Sequence, residues 1–148
     1  GCSTWHRRNT FDQCHCHSGG KLMFPYLPQE DAISAPFWAA TRERKLLIQF
    51  CASCNKFQWY PRAICITCAT ENLEWREVSG SGVVDSWTVV HRAPGEGFVP
   101  PYVIARVLLS EKVIMLTRLV GIESPTCDQA VTLSWQELSD GRALPVFG

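Results

Sequence analysis

No apolar run in this chain approaches the roughly 18 residues that a membrane-crossing helix needs. The two most apolar stretches, Tyr102–Leu109 and Val113–Val120, are each about strand length. The opening residues are polar and charged (Trp5-His6-Arg7-Arg8) and carry no apolar core of the signal-peptide kind. No glycine-rich phosphate loop, dinucleotide fingerprint or nucleophile elbow occurs, so the motif-borne routes to nucleotide and acyl-transfer chemistry are not written here. An excess of either charge is also missing, with 14 basic and 14 acidic side chains. Residues 1–22 hold Arg7, Arg8 and Lys21 against Asp12, which leaves 11 basic and 13 acidic side chains beyond them, a net of −2. Non-specific nucleic-acid binding depends on neutralising phosphates, and this balance counts against it.

What the chain has in abundance is cysteine, eight in 148 residues. Four of them stand in a pattern: Cys51 and Cys54, ten residues, then Cys65 and Cys68. A two-residue gap lets one tight turn aim both sulfurs at a single point, and two such turns close a tetrahedral thiolate cage around Zn²⁺. A disulfide framework or a redox pair is the alternative. With no signal peptide visible in the opening residues, the paired spacing favours metal, and a reducing cytoplasm is the expected location. A cage of four cysteines leaves no open coordination position, so the expected metal is structural. Iron in the same cage would make a rubredoxin-like electron carrier instead.

The remaining cysteines carry less. Cys14-His15-Cys16-His17, with His6 or Cys2 nearby, lacks the two-residue turn that wraps a metal, and residues 1–22 read as a flexible extension. Met23 stands where a chain start could lie, which would make that segment an upstream addition. Cys127 precedes Asp128 in a loop with no identifiable partner base and reads as an incidental thiol.

Four segments follow from the residue patterns. Residues 23–45 contain a short helix, with Ser34 as the expected N-cap, Pro36 in the first turn, and Arg42, Arg44 and Lys45 in the last. Residues 46–78 form a zinc ribbon, with strands at Leu46–Phe50, Phe57–Tyr60 and Leu73–Val78, too small to fold on its apolar core alone. Ser79-Gly80-Ser81-Gly82 reads as a break. Residues 79–148 then hold five strands, Val83–His91, Tyr102–Leu109, Val113–Val120, Ala130–Leu138 and Leu144–Phe147, rich in β-branched and aromatic residues. Five short antiparallel strands without a helical period suggest a small barrel of the OB type. The expected class is mainly β.

A catalytic constellation is not evident. Strict alternation would put Asp85 and His91 on one face of their strand, about 20 Å apart, and Ser86 on the other, so the three cannot form a triad.

The ordered set Phe37-Trp38, Lys45–Gln49, both cysteine pairs, Pro61-Arg62, Leu73-Glu74-Trp75, Ser79–Gly82, Ser86–Arg92, Pro101-Tyr102-Val103 and Leu119-Val120-Gly121 resembles a known family. It is the zinc-ribbon/OB-fold family called domain of unknown function 35, and the resemblance covers roughly residues 33–148. The resemblance implies a helical segment, a rubredoxin-like ribbon and an OB domain. It also implies an accessory subunit that accompanies thiolase-like condensing enzymes or acyl-CoA hydratases and helps to hold or pass an acyl-CoA thioester. The chain departs from the family at Arg44, Asn55 and Ala69, where glycine is common; a left-handed backbone there costs about 1 kcal/mol for a residue with a Cβ.

An acyl-CoA site would need cations for the phosphates, an apolar surface for pantetheine and planar groups for adenine. His91, Arg92, Phe98, Tyr102 and Arg118 are the candidates. Trp59 and Tyr60 are read as packing the ribbon or meeting a partner. A single-stranded nucleic-acid module, with Trp87 and Tyr102 as stacking residues, is the competing reading.

Overall fold

The computed structural model describes residues 27–95 and 97–148. The Cys14–His17 cluster, the extension expected over 1–22 and the suggested start at Met23 lie outside them.

Helix α1 (Ala35–Arg42) begins with proline at its first positions and presents Phe37, Trp38, Ala40 and Thr41 to the interior. Ser34 occupies the cap position but its side chain makes no capping bond, contrary to the sequence expectation. Its hydroxyl instead donates to the Asp31 carboxylate at 2.6 Å, while the Ser34 amide donates to the same oxygen at 2.7 Å. Those two donors hold the Asp31 carboxyl below its ordinary value. The chain thus enters the helix through a turn fastened one step earlier. The helix also stops earlier than expected, at Arg42, so Arg44 and Lys45 lie past its end. Arg44 has φ 60° and forms a bidentate ion pair with Glu137 on the barrel.

Three strands form the ribbon sheet, β1 (Leu47–Cys51), β2 (Lys56–Gln58) and β3 (Leu73–Glu77), in the order β2-β1-β3, all antiparallel. β2 ends at Gln58, two residues before the expected end at Tyr60. The second sheet comprises β4 (Ser81–Val90), β5 (Tyr102–Leu109), β6 (Ile114–Leu119), β7 (Ala130–Glu137) and β8 (Ala143–Phe147). It closes in the order β4-β5-β6-β8-β7. Closure rests on a parallel contact between Leu119 of β6 and Phe147 of β8, and on a short β4–β7 pairing of Ser81–Val83 with Ala130–Thr132. The chain is mainly β, with one short helix, a zinc ribbon and a five-stranded OB barrel.

The expected break at Ser79–Gly82 is shorter than four residues, because β4 starts at Ser81. Glycine at 82 serves the pairing itself: a Cβ there would stand 2.7 Å from Val107 Cγ1 and 2.8 Å from the Leu108 carbonyl oxygen. A bulge between Val84 and Ser86 then interrupts the alternation of β4. Val84 pairs with Val107 and Ser86 with Arg106, so Asp85 is the extra residue, and its carboxylate lies 3.4 Å from Arg106 Nε. Asp85 and Ser86 therefore do not alternate as strict periodicity demands.

One hydrophobic core runs through all these parts, joining Phe37 and Trp38 of the helix, Leu46, Ile48 and Val78 of the ribbon, and Val84, Val107, Met115 and Phe147 of the barrel. The helix is the mortar. Phe37 meets Trp38 and Trp59 edge-on, with centroids 4.9 and 5.1 Å apart. Thr41, fully buried, donates its hydroxyl to the Trp38 carbonyl at 2.8 Å. Arg142 lays its guanidinium 4.6 Å from the Trp38 ring centroid and is tied by Nε to Asp140 at 2.6 Å and by Nη2 to the Pro28 carbonyl at 2.9 Å.

Candidate metal centre and interdomain cavity

The four cysteines come together as their spacing requires. Cys51 ends β1, and the chain turns back so that the Asn55 amide donates to the Cys51 carbonyl at 2.8 Å. The second knuckle repeats the device, with the Ala69 amide donating to the Cys65 carbonyl at 2.9 Å. Asn55 and Ala69 sit at matching left-handed positions, φ 56° and 58°. Arg44, just past the helix, is left-handed as well, at φ 60°.

All four Sγ atoms lie within 4.8 Å of one another, with Cys51 and Cys68 at 3.5 Å and Cys54 and Cys65 at 3.6 Å. Tetrahedral zinc with Zn–S bonds of about 2.3 Å sets sulfurs about 3.8 Å apart, so the residues fit the ion. Cys51 and Cys65 are buried and Cys68 faces solvent. The Thr70 hydroxyl lies 3.5 Å from Cys51 Sγ and 3.3 Å from Cys68 Sγ, touching one sulfur of each knuckle. That hydroxyl is the main reason the Cys51 thiol is pulled down to about 6, and burial is the main reason Cys54 is pushed up to about 12. The Cys68 amide draws Cys65 down as well. Cys51 and Cys65 are thus biased toward the thiolate, which is the state a zinc ion takes up.

Behind the cage lies a polar pair that sequence reading passed over. Gln49 is 5% exposed and Gln58 is 3% exposed, and Gln58 Nε2 donates to Gln49 Oε1 at 2.9 Å. Gln49 also bonds both the amide (2.8 Å) and the carbonyl (2.9 Å) of Arg62, and Gln58 accepts from the Ile66 amide at 3.0 Å. The loop leading into the second knuckle is thereby fastened to β1 and β2. A glutamine inside the otherwise apolar strand Leu47–Cys51 was the available signal.

A cavity of about 530 Å³ lies where the helix, the ribbon and the barrel meet. α1 contributes Phe37 and Trp38; the segment after β2 contributes Trp59, Tyr60 and Pro61; β5, β6 and β8 contribute Tyr102, Leu116, Arg118 and Pro145, among others. Of the five candidate acyl-CoA residues, Phe98, Tyr102 and Arg118 line it. Phe98 stacks on Tyr102 at 6.1 Å and Arg118 lies 5.3 Å from the Tyr102 ring centroid. His91 and Arg92 are not among the lining residues; both are exposed, just beyond the end of β4.

Trp87 and Tyr102 do not form a common platform. Trp87 sits opposite Ala105 and is 40% exposed, whereas Tyr102 is three residues away along β5, opposite Val90, on the alternate face and lining the cavity. Among the described residues no hydrogen bond links the exposed Cys127 to a base, and no helix is long and apolar enough to cross a membrane.

Comparison with known proteins agrees with this architecture. The model of the ChsH2 rubredoxin-like zinc ribbon domain matches residues 38–74, and that of the ChsH2 C-terminal OB-fold domain matches residues 75–136. A probable enoyl-CoA hydratase alpha subunit of Thermomonospora curvata is 37% identical over 114 residues, 75% of this chain and 36% of that protein. A DUF35 domain-containing scaffold protein of Pyrococcus furiosus is 33% identical over 88 residues, 59% of this chain and 65% of that one. The chain therefore spans about a third and about two thirds of the lengths of these curated relatives. Among solved structures, the Ltp2–ChsH2(DUF35) aldolase superposes with a TM-score of 0.75 at 34% identity, covering 82% of this chain and 97% of the matched one. A DUF35 protein of Sulfolobus solfataricus shares the fold at 19% identity, with a TM-score of 0.55, over 69% of this chain and 77% of its own.

Proposed function

Because the chain belongs to the DUF35 family of ChsH2-type zinc-ribbon/OB-fold proteins, we propose that it is a non-catalytic accessory subunit. It binds a thiolase-like or other acyl-CoA-processing enzyme and helps to hold or pass the acyl-CoA thioester, while the partner supplies the nucleophile. The observation that carries this reading is the closed cage. Four cysteine sulfurs fill the coordination sphere of a zinc ion, so the metal organises the ribbon and offers no position to a substrate. The bound ion would supply folding energy to a ribbon whose own apolar core is small.

The relatives point the same way: one is named a scaffold protein, another a hydratase subunit, and a third is part of an aldolase. Phe98, Tyr102 and Arg118, which line the cavity, are the candidates to meet a thioester. His91 and Arg92, on the exposed loop, remain candidates for the phosphates of the CoA portion. The cytoplasm is the proposed location.

Co-expression tests the proposal. The chain should elute from a sizing column with a thiolase-like enzyme of the same source organism, at a mass larger than either alone. A chain that stays monomeric with that enzyme present argues against it. Colourless protein with about one zinc per chain is also expected, whereas visible iron–thiolate absorption would favour an electron carrier.

A further inference from the structure

β4 is paired unequally on its two sides. Towards β5 the ladder runs its length, from Gly82 opposite Leu109 to Val90 opposite Tyr102. Towards β7 it covers Ser81–Val83 only, and two further backbone bonds join Val84 to Asp128 and Gln129. Beyond the bulge at Asp85, no backbone bond reaches that side of Ser86–Val90 among the described residues. Five residues of free edge, about 16 Å long, remain. An open edge of this kind is a template for another strand, and folded proteins usually blunt it with charge, with proline or with a covering loop. Ser86-Trp87-Thr88-Val89-Val90 contains neither charge nor proline and is rich in β-branched and aromatic residues. Ser86, Trp87 and Thr88 are exposed. The outer edges of the ribbon differ, since β2 is three residues long and β3 carries Glu74, Arg76 and Glu77.

We propose that this edge pairs with the same edge of a second copy of the chain, antiparallel and about a two-fold axis at Thr88. The strand is self-complementary in that arrangement. Opposing residues share a face of the sheet, so in a symmetric pair they lie an even number of positions apart. With the axis at Thr88, that residue meets its own copy, Trp87 meets Val89 and Ser86 meets Val90. Each indole then lies against a β-branched side chain of the other copy, a favourable cross-strand pair. Charge selects this occupant and this direction. The edge begins beside the acid Asp85 and ends at His91 and Arg92, all three exposed. Antiparallel pairing brings the basic end of each copy beside the acid of the other, whereas a parallel pair would set acid beside acid. The proposal concerns the isolated chain and does not rest on the accessory-subunit reading.

The test is analytical ultracentrifugation of the isolated, zinc-loaded chain over a range of concentrations, where a reversible monomer–dimer equilibrium is expected. Thr88→Lys sets two like charges opposite each other at the axis and should weaken association about tenfold or more, with zinc content unchanged. Thr88→Val should retain the dimer. Register is read separately. Under mild oxidation Thr88→Cys should give a reducible dimer linked through that position, and Ser86→Cys should not, with peptide mapping to separate these links from any made by the natural cysteines. A chain that is monomeric at every concentration overturns the proposal, and so does a dimer indifferent to Thr88→Lys or linked through Ser86→Cys instead. Amide-exchange protection of Ser86–Val90 in the monomer would assign the edge to another segment of this chain and overturn it likewise. A dimer that forms as described while no enzyme co-purifies would sink the accessory-subunit reading alone.

Discussion

Gln58 hands its side-chain amide to Gln49 at 2.9 Å, and neither residue reaches solvent. A buried amide pair is stable only when its remaining groups are satisfied, and here they are satisfied by the backbone of Arg62, Ile64 and Ile66. Gln49→Leu would strip the Arg62 amide of its acceptor and leave Gln58 without one partner. Each orphaned group costs about 1–3 kcal/mol. The expected result is a lower melting temperature and faster transfer of zinc to a chromogenic chelator, because the loop that delivers Cys65 loses its anchor. Unchanged chelator kinetics would show that the pair does not position the knuckle.

Thr70 should govern metal retention in another way. Its hydroxyl lies near one thiol from each knuckle, and it is the largest influence drawing Cys51 below the ordinary thiol value, to about 6. For a group whose folded value is depressed, the associated stability is present above the unfolded value and is lost as the pH falls through the folded one. A bound zinc ion competes with those protons, so zinc should be retained at neutral pH and released only as the pH falls below the metal-free Cys51 value of about 6. Thr70→Val keeps the shape and removes the donor, so its release midpoint should move to higher pH. Zinc content measured after equilibration across pH 5–8 checks this.

Two left-handed positions invite substitutions that stabilise. Ala69, at φ 58°, carries a Cβ where glycine is free of strain, and Ala69→Gly should raise stability by about 1 kcal/mol. Asn55→Gly, at φ 56°, should gain less, because asparagine tolerates that conformation. Thermal unfolding of the zinc-loaded proteins would rank the two.

Gly82 predicts the opposite sign. A methyl group there would press on Val107 and on the Leu108 carbonyl, at the first pair of the β4–β5 ladder. Gly82→Ala should cost about 1–3 kcal/mol, the usual penalty of overpacking. A denaturant midpoint equal to that of the natural chain would contradict the close approach.

These cases mark what the sequence carried and what it did not. The cysteine pairs were legible because metal ligation imposes fixed spacing, and Tyr102–Leu109 was legible to the residue because an apolar run rich in β-branched residues is bounded by turn residues on both sides. The bulge at Asp85 was not, since one inserted residue leaves composition unchanged and is chosen by the partner strand. The start of β4 at Ser81 was hidden because glycine marks both a turn and a close backbone approach, and only the neighbour Leu108 distinguishes them. Barrel closure hangs on the pairing of Leu119 with Phe147, 28 residues apart in the chain, which no local pattern specifies. The cavity was least legible of all. It assembles Phe37, Trp59, Tyr102, Arg118 and Pro145 from five separate segments, each of which alone reads as ordinary core or surface.

The central claim is that the cysteine cage organises a docking unit whose chemistry belongs to a partner. The most direct measurement pairs zinc analysis with co-purification for the natural chain and for Cys51→Ala, each co-expressed with a thiolase-like enzyme of the same source organism. The account predicts about one zinc per natural chain and a stable complex, and loss of both in Cys51→Ala. A Cys51→Ala chain that kept its zinc and its partner, or a zinc-replete natural chain that bound no enzyme, would contradict it.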